Sequence, residues 1–166
     1  MKLWEEPGVP HKGWECLEVL DLKEEETEDA EVCEMCGQEH LRFVHILRHD
    51  HYPEPVRAGC ICAGKLTGNY TSAQAGEAKL RNRARRRSTW LTRKWKIDAK
   101  GNDMLKVGGH FFLVFQDTRR SGWWKFKFDE VWGNRSYPSQ NAAKLALFDL
   151  TCEQLECEKE ERQQGW

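Results

Sequence analysis

Apolar residues in this chain come in short runs broken by polar turns, and the spacing within each run predicts its element. Residues 41–47, Leu-Arg-Phe-Val-His-Ile-Leu, and residues 56–58, Val-Arg-Ala, read as two short strands. Between them lies a polar stretch over 49–54 bracketed by Pro53 and Pro55. Farther on, residues 110–116, His-Phe-Phe-Leu-Val-Phe-Gln, read as a strand, 117–122 as a turn and 123–129 as a second strand. Side chains alternate across a strand, so Trp124, Phe126 and Phe128 share one face while Trp123, Lys125 and Lys127 share the other. A short third strand is expected at 135–137. Ser139 then supplies an N-cap for a helix through residue 150, with Ala143, Ala146, Leu147 and Leu150 on its packing face.

Between these regions the period changes. Helix formers fill 73–84, and Leu80, Ala84, Leu91 and Trp95 recur at steps of 4, 7 and 4. That spacing predicts a long helix over about 72–95, with those four residues as its apolar stripe. Glycines at 101 and 108–109 suggest a flexible joint after it.

Length and charge refine this picture. At 166 residues the chain suits one mid-sized domain or two small ones, and small units commonly need a metal or disulfides to hold together. No stretch approaches the apolar length of a membrane span, and the opening Met-Lys-Leu-Trp-Glu-Glu-Pro-Gly lacks the apolar region of a secretion signal, so a soluble cytoplasmic protein is expected. The formal net charge of -1 conceals a segregated pattern. Residues 1–32 carry 11 acidic and 3 basic side chains, whereas residues 63–98 carry 10 basic and 2 acidic. The acidic run at 24–29 reads as a solvated linker, and the tail ending at Trp166 as a fraying helix end.

Seven cysteines are present: Cys16, Cys33, Cys36, Cys60, Cys62, Cys152 and Cys157. In a reducing compartment, metal binding or free thiols are favoured over disulfides. Cys33-Glu34-Met35-Cys36-Gly37 is a C-x2-C-G knuckle, in which one tight turn lets two thiolates reach one ion at about 2.3 Å and a glycine eases a positive φ. After 23 residues Cys60-Ile61-Cys62 follows. A hairpin of that length returns the chain to the knuckle, so Cys33, Cys36, Cys60 and Cys62 are the expected ligands of a closed structural zinc site. The C-x-C spacing leaves room for His45, His49 or His51 to replace one thiolate, His45 foremost. The alternative is that these cysteines are buried small apolar residues.

This arrangement resembles a treble-clef or zinc-ribbon finger. It is also similar to small bacterial and phage zinc-binding proteins built around C-x2-C-G, a strand ending in His, and G-C-x-C-A, with the likeness covering about residues 30–70. That resemblance implies a finger stapled by Zn2+.

The basic segment points to a partner. Lys79, Arg81, Arg83, Arg85, Arg86, Arg87, Arg93, Lys94 and Lys96 place nine cations within eighteen residues. Arginine suits bidentate phosphate contact, and such a surface binds nucleic acid through counterion release. Trp90 and Trp95 are candidates for stacking on unpaired bases. The competing reading pairs these cations with the acidic N-terminus or with a partner protein.

The order of three strands and a helix near the C-terminus loosely resembles the DNA-reading units of integrase arm-binding and plant ethylene-response type. That likeness implies a sheet face set against nucleic acid and adds Trp123, Lys125 and Lys127 to the candidate contacts. The ordinary alternative is an exposed face with snorkelling lysine stems. The chain has no G-x-S-x-G, no phosphate-cradling glycine loop, no H-E-x-x-H and no deaminase signature. The expectation is therefore an α+β protein that is not an enzyme. An acidic segment over 1–32 is followed by a zinc finger and basic helix over 33–98, then by a small antiparallel sheet packed on one helix over 99–166. The expected function is nucleic-acid binding, DNA or RNA, or alternatively that of a protein-interaction adaptor or inhibitor.

Overall fold

The computed structural model describes residues 2–25 and 31–164, with only the backbone for 153 and 156–164. The end of the acidic run at 26–29, the last two residues of the expected tail and the Cys157 side chain lie outside the described residues. The fold is mixed α and β. The chain divides into two units, 1–84 and 85–166.

In the first unit, strands β1 (Glu15–Asp21), β2 (Phe43–Arg48) and β3 (Val56–Ala58) form an antiparallel sheet in that order. The hairpin of β2 and β3 matches the expectation from sequence. β1 does not: a register shift between Cys16 and Glu18 interrupts its alternation, which hides a strand whose partner lies some thirty residues away. Residues 15–21 of the expected acidic segment are thus a strand of this sheet. Helix α1 (Cys60–Thr67) ends at Gly68, whose φ of 71° gives the left-handed cap that glycine reaches most easily. Helix α2 (Tyr70–Trp90) then restarts the chain, with the Asn69 side chain accepting from the Ser72 N–H at 3.0 Å. The Gly64 position lies so close to Tyr70 that a Cβ there would sit 2.9 Å from the Tyr70 Cα. Trp14, Met35, Leu47, Val56, Ala63, Leu66 and Ala73 fill the core of this unit.

The division between units falls inside α2, not at residue 98. That helix also ends five residues earlier than its periodicity suggests. The hydroxyls of Ser88, Thr89 and Thr92 donate to the carbonyls of Arg85, Arg86 and Thr89, while the Trp95 indole donates to the Trp90 carbonyl at 3.1 Å. Of these, the Thr92 hydroxyl and the Trp95 indole reach carbonyls of the last turn that have no further helical partner. Leu91 and Trp95 therefore do not continue the stripe of Leu80 and Ala84; Trp90 is the anchoring residue and is 3% exposed.

In the second unit, β4 (Lys96–Ile97), β5 (Asp103–Val107), β6 (His110–Gln116), β7 (Trp124–Phe128) and β8 (Val131–Trp132) form one antiparallel sheet in sequential order. The supposed joint at 101–109 is strand β5 and its hairpin. Gly108 and Gly109 have φ of 58° and 85°, the double positive φ of a two-residue turn. The third strand falls at 131–132 rather than 135–137, where Tyr137 makes only an isolated bridge to Trp124. Helix α3 (Gln140–Gln164) starts as expected, Ser139 Oγ accepting from the Ala142 N–H at 3.0 Å. Ala143, Leu147, Phe148 and Cys152 of α3 pack with Leu105, Phe112, Val114, Phe126 and Trp90. Each large apolar side chain so buried contributes about 1.5–3 kcal/mol. Leu150, expected on this face, is 65% exposed, and the buried stripe passes through Phe148 instead. Asp103 and Lys144, both buried, close the edge of this core with an ion pair of 2.6 Å. No described helix is long and apolar enough to cross a membrane.

Candidate metal centre and cationic surfaces

The knuckle forms as its sequence dictates. The Gly37 N–H donates to the Cys33 carbonyl at 2.7 Å, the Cys33 N–H donates to Gln38 O at 2.8 Å, and Gly37 takes a φ of 78°. This turn aims Cys33 and Cys36 toward the start of α1. There Cys62 meets them, and the three thiol sulfurs lie within 4.8 Å of one another. Thiolates bound at about 2.3 Å to one tetrahedral ion lie about 3.8 Å apart, inside that limit. Cys33 and Cys62 are buried and Cys36 is half-buried.

Residues near the N-terminus complete the enclosure. The Leu3 and Trp4 N–H groups donate to the carbonyls of Glu34 and Met35 at 2.9 and 3.2 Å, clamping the knuckle backbone. The Trp4 indole donates to Cys62 Sγ and the Gly59 N–H to Cys33 Sγ, both at 3.4 Å. Such N–H···S contacts hold sulfur ligands in position. Trp4 is a site residue that sequence reasoning missed, because nothing in its spacing links it to the cysteines.

Electrostatics distinguish the thiols. Burial pushes the Cys62 thiol up to about 12; the Trp4 N–H opposes this, and the nearby Cys33 and Cys36 groups reinforce it. Burial pushes the Cys36 thiol in the same direction, but the Gln38 backbone, the thiols of Cys33 and Cys62 and the charge of Lys2 outweigh it and leave a net lowering. A trio of this kind can hold a metal ion, and sulfur donors favour soft or borderline metals over magnesium or calcium.

Cys60 stands apart from this trio. It is the first residue of α1 and Cys62 the third, so about 200° of helical rotation separates their side chains. Cys60 joins instead a second group with His45 of β2 and Glu77 of α2, their ligand atoms within 4.8 Å of one another. His45 thus belongs to this second group and does not substitute for a thiolate in the first. His49 packs its ring against Trp14, and its Nδ1 accepts from the His51 N–H. No described cysteine is in a disulfide.

The expected nucleic-acid contacts divide into engaged and outward-facing groups. Arg83 pairs with Glu24 at 2.6 Å, and Arg87 clasps Asp149 through two bonds of 2.9 and 3.1 Å. Arg86 reaches Cys152 Sγ at 3.6 Å. Arg81 is 57% exposed in its side chain, lies 3.9 Å from Glu77 and stacks over Phe43. Arg85 and Lys94 are exposed, as is Arg93, which lies over the Trp90 ring. The buried Trp90 indole donates to Lys144 O at 2.9 Å, which removes Trp90 as a base-stacking residue.

On the sheet of the second unit, α3 covers the face of Leu105, Phe112, Val114 and Phe126. Strand alternation puts Leu113, Phe115, Lys125 and Lys127 on the opposite face. Cross-strand pairs there are Phe115 with Lys125, Leu113 with Lys127, and Lys127 with Trp132. Trp132 is 61% exposed, with the Phe115 ring edge-on at 5.6 Å and the Lys127 ammonium 4.8 Å from its centroid. Lys125 lies 3.8 Å from Asp117 and Lys127 3.5 Å from Glu130. Trp123 lies under the Arg120 guanidinium at 3.4 Å.

Comparison with family models, curated proteins and solved structures finds no match for this chain. The functional reading therefore rests on the site geometry.

Proposed function

We propose that this chain is a non-enzymatic nucleic-acid-binding protein whose first unit is a treble-clef-like finger stapled by a structural zinc ion. Cys33, Cys36 and Cys62 hold the zinc, and Trp4 shields it. The contact surface is the α3-free face of the second unit's sheet, together with the exposed cations Arg85, Arg93 and Lys94.

The observation that carries this reading is the cross-strand arrangement of Phe115, Lys125, Lys127 and Trp132. Aromatic faces interleaved with ammonium groups stack on bases and neutralise phosphates at once. Lys127 faces the exposed Glu130 at 3.5 Å, a weak surface contact that a phosphate readily displaces, while Lys125 lies 3.8 Å from the buried Asp117. Fluorescence-anisotropy binding to duplex DNA, single-stranded DNA and RNA, each at two salt concentrations, tests the proposal.

A second reading has its own support. Arg83 with Glu24 and Arg87 with Asp149 are internal pairs, so part of the basic helix serves this fold rather than a phosphate backbone. If no nucleic acid binds, a protein-interaction adaptor or inhibitor is the reading that remains.

A further inference from the structure

We propose a second metal site in the first unit, formed by His45, Cys60 and Glu77 and suited to a zinc-class divalent ion. The three donors come from three elements, β2, α1 and α2, and gather within 4.8 Å. His45 and Glu77 have side-chain exposures of 1% and 16%, and Nε2 of the ring lies 3.0 Å from Glu77 Oε1. Two ligand atoms held at about 2.0–2.2 Å by one tetrahedral ion lie only a few tenths of an ångström farther apart than this. Small side-chain shifts therefore replace the histidine–carboxylate hydrogen bond with two coordination bonds.

The surroundings match those of a ligand set. Arg81 lies 3.9 Å from Glu77 Oε2, on the carboxylate oxygen not facing His45. Nδ1 of His45 points toward Cys16 Sγ at 4.0 Å, so the second ring nitrogen has its own polar neighbour. Such outer contacts fix the ring and leave Nε2 as the coordinating atom. The nitrogen, sulfur and oxygen donor set suits zinc or cobalt and does not suit magnesium or calcium, which take all-oxygen sites. Three protein donors leave the fourth tetrahedral position to water. This site differs in donor type from the all-sulfur trio, and the helical offset of Cys60 from Cys62 separates the two.

Titration of metal-stripped full-length chain with cobalt(II), followed by absorption and metal analysis, tests the assignment. The expected result is two equivalents per chain. Glu77→Gln and Cys60→Ser each reduce this to one equivalent while the intense sulfur–cobalt absorption of the trio persists. His45→Ala does the same if its circular dichroism shows a folded chain, and the isosteric Glu77→Gln gives the answer if it does not. Saturation of the wild type at one equivalent overturns the proposal, as does retention of two equivalents in Glu77→Gln. Loss of the trio's absorption in Cys60→Ser also overturns it, since Cys60 would then serve the first site. A wild type that binds one equivalent, lost in Cys33→Ser, leaves the structural zinc standing and removes only the second site.

Discussion

Cys60 and Cys62 are two residues apart at the start of α1, yet they face different neighbours: Cys62 meets Cys33 and Cys36, and Cys60 meets His45 and Glu77. The consequence for metal binding is specific. Cys33→Ser or Cys62→Ser should abolish the sulfur-rich site, and the first unit should lose its cooperative unfolding transition, because metal affinity and folding free energy are linked. Cys60→Ser should keep the sulfur-rich site. Elemental analysis combined with thermal denaturation reads both outcomes.

The junction of α1 and α2 gives a prediction independent of any metal. A methyl group at residue 64 would meet Tyr70 Cδ2 at 2.6 Å and Tyr70 Cα at 2.9 Å, and backbone cannot move aside as a side-chain tip can. Gly64→Ala should therefore destabilise the first unit by about 1–3 kcal/mol, the usual cost of overpacking. Denaturant unfolding monitored by tryptophan fluorescence measures it. No change in midpoint would mean that α2 does not start where it is placed.

Acid sensitivity of the second unit follows from Asp129. Its carboxyl is held below the usual range, chiefly by the His110 ring at 2.7 Å and then by the Phe111 N–H. A carboxyl depressed in the folded state contributes stability above its unfolded pKa of about 3.9, and that contribution is lost as pH falls through the folded value. Unfolding free energy should thus fall as pH drops below about 4. Asp129→Asn should be less stable at pH 7 and less steeply acid-sensitive, as read from denaturation midpoints across pH.

Much of this fold is legible from periodicity alone. The β2–β3 hairpin, the β6–β7 pair and the Ser139-capped start of α3 all follow from alternation, apolar runs and capping chemistry. What escapes does so for physical reasons. β1 is masked by its bulge and by acidic residues that suggest a linker, and β5 is masked by glycines that form tight turns as readily as joints. At the end of α2, Thr92 and the Trp95 indole bond the last carbonyls, which a hydrophobic stripe does not register. At the candidate site the knuckle is legible, because C-x2-C-G fixes local geometry. The partition of Cys60 from Cys62 depends on helical phase at α1, a short helix that the sequence pattern does not announce. Trp4 reaches Cys62 only through tertiary structure.

The most direct test of the proposed function is the salt dependence of nucleic-acid affinity for the wild type and for Lys125→Gln/Lys127→Gln. The wild type should bind at about 50 mM salt, with log K falling linearly against log salt. The double variant should stay folded, because its lysines sit on the face away from α3, and its slope should flatten by roughly 0.9 for each lost duplex contact or about 0.7 for a single strand. Trp132→Ala should weaken single-strand binding by the roughly 1–3 kcal/mol of one lost stack, with little change in slope. Wild-type chain that binds none of duplex DNA, single-stranded DNA or RNA at low salt, or a double variant with an unchanged slope, would contradict the account.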